Sequence, residues 1–402
     1  MKMLPIKRLA SVTLGKMVQP KPGDEGDVEA PYLRAAHVQP GGNIIDLPEQ
    51  TMWFGSDELR NLTLCAGDVV VVEGGAGYGR SAVIPNDLHG WGFQNSIIRL
   101  RSFPKVADGR FINYALQDAL THGVIDLFTS TATIPHFTAE KVARFEIPSP
   151  AVSDQRLVAD YLDRQTSQID ALIAAQERFV GFLKERRGAV VDRLLEEAGE
   201  YKQVPLRYIA ADITVGIVVQ PSRWYVDAGV PALRGVNVRP GRIVLDDLVF
   251  ISSDGHKHYQ KSQLSTGDVI VVRTGQSGAA AVIPESLDGA NAIDLLVIKP
   301  GNRLLGSYLE MVLNAPATRE RSSVEVVGSI QGHLNVAALR ALTIPAPPVD
   351  KQQEIVDRWH EQAEEIDTLI AKTARHIEIA KERRTALVTA AVNGQIDIPK
   401  EV

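Results

Sequence analysis

Ile147-Pro148-Ser149-Pro150-Ala151-Val152 opens a stretch that closes on Lys184-Glu185-Arg186-Arg187, and Ile344-Pro345-Ala346-Pro347-Pro348-Val349 opens another that closes on Lys381-Glu382-Arg383-Arg384. The two stretches, residues 147–191 and 344–388, align without a gap at a constant offset of 197. Gln155 falls on Gln352, Ile169-Asp170 on Ile366-Asp367, and Leu172-Ile173 on Leu369-Ile370. A period this long is no solenoid, whose units run to a few tens of residues. It marks two copies of a whole module, each a globular domain followed by one long helix.

The regions ahead of the helices carry matching landmarks. Pro31-x-Leu33-Arg34-x-x-x-Val38-x-Pro40-Gly41 returns as Pro231-x-Leu233-Arg234-x-x-x-Val238-x-Pro240-Gly241, and Leu64-x-x-Gly67-Asp68-Val69 returns as Leu264-x-x-Gly267-Asp268-Val269. Short Val/Ile-rich runs between glycine turns read as strands. Helical patterns around Arg110–His122 and Leu304–Asn314 make each head a mixed α+β domain. The boundaries follow: a first head over 1–146, a first helical spacer over 147–199, a second head over 200–343, a second spacer over 344–396 and a tail over 397–402.

The prolines hold an extended lead-in to each helix. Ser153 and Asp350 are the expected N-caps, with Gln353 at the capping-box position, and Gly199 and Asn393-Gly394 the expected stops. Between these limits a heptad seam runs Val158, Leu162, Gln165, Ile169, Leu172, Gln176, Phe179, Leu183, Arg186, Val190. Its second copy runs Ile355, Trp359, Gln362, Ile366, Leu369, Thr373, His376, Ala380, Arg383, Leu387. Such spacing predicts coiled-coil packing, with Gln165 and Gln362 as polar register positions. In a chain ordered domain, helix, domain, helix, the economical partner of each helix is the other, running antiparallel. The expected architecture is two α+β heads joined by two long helices in an antiparallel coiled coil with pseudo-two-fold symmetry. About 40 residues at 1.5 Å each make a strut of roughly 60 Å. That is a spacing suited to two segments of a DNA duplex, whose helical turn is about 34 Å.

Composition narrows the classes. At 402 residues, 45% hydrophobic and 23% charged, the chain can fill two or three cores. It has no apolar run of bilayer length. Its start, Met1-Lys2-Met3-Leu4-Pro5-Ile6-Lys7-Arg8, has no apolar signal core, so the cytoplasm is the expected location and no membrane partner is expected. The single Cys65 rules out an internal disulfide and a multi-cysteine zinc site. A net charge of −6 points to nucleic acid only if a local basic face or basic partners supply phosphate contacts. Gly74-Gly75-Ala76-Gly77-Tyr78-Gly79-Arg80-Ser81 imitates a phosphate loop, but Ala82-Val83-Ile84-Pro85 follows it as a strand where such a loop needs a helix. A hairpin turn is the expectation.

Gly67-Asp68-Val69-Val70 before a glycine turn, Ile134-Pro135-His136-Phe137 before a short helix, and Ile147-Pro148-x-Pro150 before Gln155, with their second copies, resemble the specificity subunits of type I restriction–modification enzymes. The resemblance covers nearly the whole chain. It implies two target recognition domains that bind double-stranded DNA at an asymmetric, interrupted site. It also implies two methyltransferase subunits and, for cleavage, two ATP-driven restriction subunits. In that family the specificity subunit is not itself an enzyme, so S-adenosylmethionine, ATP and magnesium are expected on the partners. The chain lacks the Asn/Asp/Ser-Pro-Pro-aromatic tetrapeptide of amino-methyltransferases and a true phosphate-loop motif. The competing reading is a non-catalytic adaptor that spaces two protein-binding heads.

Positions shared by both heads should serve scaffold or phosphate, and polar positions that differ should read bases. Arg34 and Arg234 are the shared arginines, open to a salt bridge or a phosphate contact. The divergent candidates are Tyr78, Arg80, Gln94, Asn95, Ser130, Thr131 and Thr133 in the first head. In the second they are Asn237, Arg273, Gln276, Ser277, Ser329, Gln331 and Asn335. Arginine on guanine and asparagine or glutamine on adenine are the favoured pairings. His136 and His333 are read as structural, and His256-Lys257-His258 as an exposed loop with too few ligands for a metal. Lys184, Arg186, Arg187, Lys381, Arg383 and Arg384 of the repeated tetrapeptide are candidates for docking a partner or the adjoining head.

Overall fold

In the computed structural model, residues 2–129, 136–327 and 334–399 are described, 322–327 by their backbone alone. The chain forms two compact units: Met1–Gln176 with His376–Val402, and Glu177–Arg375. Each contains one head and a portion of each long helix, Val152–Glu197 and Val349–Val392. Among the described residues no helix is long and apolar enough to cross a membrane.

The first head is built on a four-stranded antiparallel sheet, in spatial order Ala10–Leu14, Ile97–Ser102, Val69–Val72, Ser81–Val83. Val69–Val72 is an unbroken apolar run because both of its faces are covered. Alternation then divides it between two cores. Val69 and Val71 join Ile98, Leu100, Phe111, Ile112 and Leu116 on the side of helix Gly109–Thr121. Val70 and Val72 join Ile97, Phe54, Phe93 and Leu33 beneath a second sheet, in which Asp27–Leu33 pairs antiparallel with Thr51–Gly55 and parallel with Gly92–Phe93. Each fully buried side chain of this size contributes roughly 1.5–3 kcal/mol.

The second head repeats the plan. Its central sheet runs Asp212–Val215, Leu295–Lys299, Val269–Val272, Ala280–Val282. Val269 and Val271 face the helix side with Leu296 and Ile298, whereas Ile270 and Val272 face the opposite core with Leu295 and Val297. The glycine-rich segment after Val72 joins two antiparallel strands, with Val71 opposite Ser81, so it is the expected hairpin and not a phosphate loop.

The helices each start two residues earlier than expected. Ala151 and Pro348 offer the first carbonyls, to Gln155 and Gln352, because a proline-fixed extended segment delivers the chain directly into the helix. Ser153 and Asp350 therefore lie in the first turn, and the Gln353 amide bonds Asp357. The stops are as expected, with Gly199 at φ +112° and Gly394 at φ +67°.

Within each unit the two helix segments run antiparallel. In the first, Leu162 shares a core with Val388, Ala391 and Val392, and Arg384 bonds Asp170 at 2.9 Å. In the second, Val190, Val191 and Leu194 share a core with Ile355, Val356 and Trp359, and Arg187 bonds Asp367 at 2.8 Å. The seam itself needs correction. Leu162, Ile169 and Leu183 are buried as expected, but the alternate line is Ala159 and Thr166, with Val356 and Ala363 in the second copy. Leu172, Phe179 and Leu369 are exposed, and Gln165 and Gln362 flank the seam. The buried face thus mixes large apolar residues with Ala159, Thr166 and Ala363, and Thr166 meets the Tyr114 hydroxyl of the head at 3.2 Å.

Gln155 and Gln352, at matching positions, fasten the helices to the heads. Gln352 is fully buried; its Oε1 accepts from the Leu305 N–H at 2.8 Å and its Nε2 donates to the Arg303 and Pro347 carbonyls at 3.0 and 2.8 Å. Gln155 makes the same three bonds, to Asp108, Val106 and Pro150.

Glu310 stands where the first head has Asn113. It is buried, accepts from the Val282 N–H at 3.0 Å, and burial raises its carboxyl pKa. A carboxyl raised in the folded state costs stability at neutral pH, and the cost is relieved as pH falls through the folded pKa. Glu310→Gln keeps the acceptor and removes the charge, so it is expected to raise stability at pH 8. Urea unfolding at pH 8 and pH 5 checks this: the gain should shrink at the lower pH, and an equal effect at both contradicts it.

Candidate nucleic-acid interface

The antiparallel order of the central sheet collects specific loops at one end. In the first head, strand Ala10–Leu14 ends there, Val69–Val72 ends there, and Ser81–Val83 and Ile97–Ser102 begin there, with Ile98 opposite Leu14, Ile97 opposite Val72 and Val71 opposite Ser81. That end therefore holds the turn after Gly15, the hairpin tip from Glu73 to Arg80, and the turn Gln94–Ser96. Backbone bonds join these pieces: Asn95 N–H to the Lys16 carbonyl at 2.8 Å, Glu73 N–H to the Ser96 carbonyl at 2.9 Å, and Phe137 N–H to the Glu73 carbonyl at 2.8 Å. The Gln94 N–H bonds the Leu33 carbonyl, which brings Arg34 to the same rim. His136 packs so closely over Gly74 that a side chain there would strike its ring at 2.7 Å. Burial pushes the Glu73 carboxyl pKa up, partly offset by His136.

In the second head the same end holds the turn after Gly216, the tip from Arg273 to Ala279, and Asp294, whose N–H bonds the Ile217 carbonyl at 2.9 Å. The Leu334 N–H bonds the Arg273 carbonyl at 3.2 Å.

Most sequence candidates thus lie at this rim, in different states. Arg34 and Arg234 are half-buried, their Nε atoms lack hydrogen-bond partners, and among the described residues neither makes an ion pair. The salt-bridge reading falls away; Arg234 instead donates to the Asp247 carbonyl at 2.5 Å. Arg80 makes no side-chain hydrogen bond among the described residues, and Gln276 is exposed. Ser277 and Asn95 are half-buried, and Gln94 donates to Ser96 Oγ at 2.6 Å. Arg273 is ion-paired with Asp294 at 2.6 Å.

Three candidates are corrected. Asn237 is fully buried: its Oδ1 accepts from the Arg234 N–H at 3.0 Å and its Nδ2 donates to the Val244 and Asp246 carbonyls. It holds a turn that His37 holds in the first head, where Nδ1 meets the Arg34 N–H at 3.1 Å. Tyr78 turns its hydroxyl inward to Thr129 and Ile125, and burial raises its pKa. Asn335 caps helix Val336–Ala341 through the Ala338 N–H at 2.9 Å. Ser130, Thr131, Thr133, Ser329, Gln331 and His333 lie outside the described residues. The stretch read as an exposed loop is instead the helix Ser253–His258, capped by Ser252, in which His256 meets Asn291 at 2.6 Å and His258 stacks on Trp224.

The repeated tetrapeptides divide their labour. Arg384 bonds Asp170 and the Gly41 carbonyl at 3.0 Å, tying the second helix to the first and to its head. Arg187 bonds Asp367, lies over the Trp359 ring at 5.2 Å, and lines one cleft with Gly241, the counterpart of Gly41. Lys184, Arg186, Lys381 and Arg383 are exposed, Lys381 beside Glu378 at 3.3 Å.

One feature was missed. Gly15-Lys16-Met17-Val18-Gln19-Pro20 and Gly216-Ile217-Val218-Val219-Gln220-Pro221 match at the rim of both heads. The glycine is required: a Cβ on Gly15 would sit 2.2 Å from the Gln94 carbonyl oxygen, and on Gly216 2.3 Å from that of Ala292. The common Gly-x-x-Val-Gln-Pro pattern was readable by internal comparison.

Each unit is thus a loop-rimmed sheet domain seated on a pair of antiparallel helix segments, in two diverged copies. Residues 230–378 match the family model described as the type I restriction modification DNA specificity domain. The EcoBI specificity subunit of Escherichia coli is 26% identical over 278 residues, and the EcoKI specificity subunit of Escherichia coli K12 is 22% identical over 307. These alignments take in 62% and 71% of this chain but 57% and 65% of the relatives, so the chain spans less than two thirds of their length. A solved structure described as the basis of complex assembly and conformational transition of the type I R-M system superimposes with TM-score 0.75 over 98% of both chains at 16% identity. The HsdS subunit of Thermoanaerobacter tengcongensis superimposes with TM-score 0.51 at 15% identity, covering 98% of this chain and 97% of that one. Over these stretches the chain is similar to the specificity subunits of type I restriction–modification systems.

Proposed function

We propose that this chain is the DNA-reading subunit of a type I restriction–modification complex, in which each head recognises one half of an asymmetric, interrupted duplex site. The observation that carries this reading is a shared scaffold with divergent polar loops at the same end of both central sheets: Arg80, Gln94 and Asn95 in one head, Arg273, Gln276 and Ser277 in the other. Shared Arg34 and Arg234, with guanidinium groups that have no acidic partner among the described residues, suit phosphate contacts that position both heads alike. The chain itself performs no chemistry. Methyl transfer and ATP-driven cleavage belong to methyltransferase and restriction subunits that carry S-adenosylmethionine, ATP and magnesium.

The helices supply the seats for those partners. Leu172 and Ile379 are exposed in the first unit, and their repeat counterparts Leu369 and Phe182 are exposed in the second. Two equivalent apolar patches suit two copies of one methyltransferase subunit. Footprinting tests the reading. With methyltransferase present, two protected segments separated by an accessible spacer are expected on the host's methylated motif. A single continuous footprint, or none, contradicts it.

A further inference from the structure

Met17-Val18 and Val218-Val219 expose apolar side chains to water at corresponding places in the two heads; Met17 is 75% and Val219 72% exposed. Neither pair is loosely held. Before each pair, the chain is bonded into the sheet end: Lys16 N–H to the Phe93 carbonyl at 3.0 Å, and Ile217 N–H to the Ala292 carbonyl at 2.8 Å. After it, the glutamine anchors the turn. The Gln19 carbonyl accepts from the Trp53 N–H at 2.9 Å and its amide donates to Asp27 at 3.0 Å. Gln220, at φ +42°, accepts from the Arg223 N–H at 3.2 Å and leads into Pro221. Each head therefore holds two neighbouring apolar side chains outward on a fixed turn, beside the loops that differ.

Selection against exposed apolar surface makes a repeated, rigidly presented pair informative about a common ligand. The two heads differ in the polar residues of the same rim, so what the pair touches is indifferent to sequence. We infer that Met17-Val18 and Val218-Val219 are apolar groove contacts to double-stranded DNA, packing against sugar and base-step surfaces while the adjacent polar side chains read base edges. The inference rests on the DNA-reading function proposed above and adds a class of contact to it, one that supplies affinity to both half-sites without choosing between bases.

The complex with methyltransferase subunits, bound to a fluorescent duplex carrying the host's methylated motif and to one of random sequence, provides the test. Met17→Ser with Val18→Ser should weaken both duplexes roughly tenfold, as expected for losing one buried apolar contact. The slope of affinity against salt should not change, because no charge is removed. Met17→Leu with Val18→Ile should retain wild-type affinity, and Val218→Ser with Val219→Ser should repeat the loss in the second head. Unchanged affinity in both serine variants overturns the inference. So does loss of methyltransferase assembly with normal DNA affinity in the complex that remains, which would assign the pair to a protein partner. Failure of the wild-type complex to bind either duplex overturns the DNA-reading function itself.

Discussion

Gln352→Met is expected to lower the stability of the second unit by about 3 kcal/mol, although methionine fills nearly the same volume. The side chain is fully buried and satisfies three main-chain groups, the Leu305 N–H and the Arg303 and Pro347 carbonyls. Stranding each buried group costs about 1–3 kcal/mol, and the better transfer of a thioether recovers only part of the total. Leu305 is the residue from which helix Gly306–Asn314 starts, so the same bond that seats the long helix also fixes a helix of the head. Gln155→Met should do the same in the first unit, where Asp108 caps helix Gly109–Thr121. Urea unfolding followed by hydrogen exchange of the two units separately reads both effects. A loss below 1 kcal/mol in each would show that water replaces the glutamine and that the clamp is dispensable.

That clamp shows what the sequence disclosed and what it withheld. Gln155 and Gln352 are visible as a repeated pair, but nothing in their spacing distinguishes an exposed glutamine from one that closes three backbone bonds. The Val69–Val72 and Val269–Val272 strands were legible because an apolar run between glycine turns has few alternatives. The helix seam was half legible. Counting large apolar residues selected Leu172, Phe179 and Leu369, which are exposed, whereas the buried face also takes in Ala159, Thr166 and Ala363, whose burial by the neighbouring head and helix no heptad count reveals. Internal comparison located the rim through Arg34, Arg234 and the hairpin tips, yet it offered Asn237 as a base reader. Divergence there is a change of structural part, His37 for Asn237, because two side chains of different chemistry can satisfy the same turn N–H. Difference between copies is a candidate signal of recognition only where the side chain also reaches solvent.

Exchanging residues 200–343 for the corresponding head of another specificity subunit is expected to change one half-site completely and leave the other untouched. Two of the three cores of the second head support such an exchange, whereas the third packs Val269, Val271, Leu309 and Leu313 with Val190, Leu194, Ile355 and Trp359 of the long helices, so the incoming head must present a matching apolar face there. The core behind the central sheet is drawn from Leu233 to Val297, and the smaller one from Ile217 to Ile293, without a residue of either long helix. The junctions fall on the pairing of Gln203–Pro205 with Thr343–Pro345, whose register in the first head is Met3–Pro5 with Glu146–Pro148. An incoming head that carries the same edge pairing, and that offers one N–H and one carbonyl to Gln352, keeps the clamp that seats the helix. Each mismatched base pair costs about 1–3 kcal/mol, so a half-site of a few pairs is worth roughly a thousandfold in binding. The chimera should therefore lose the old second half-site to background and gain the donor's. Methylation sequencing of cells carrying the chimera with the host methyltransferase reads both halves at once. Recognition altered in both halves would mean that the heads do not read independently, and that the division of labour drawn from the diverged rims is wrong.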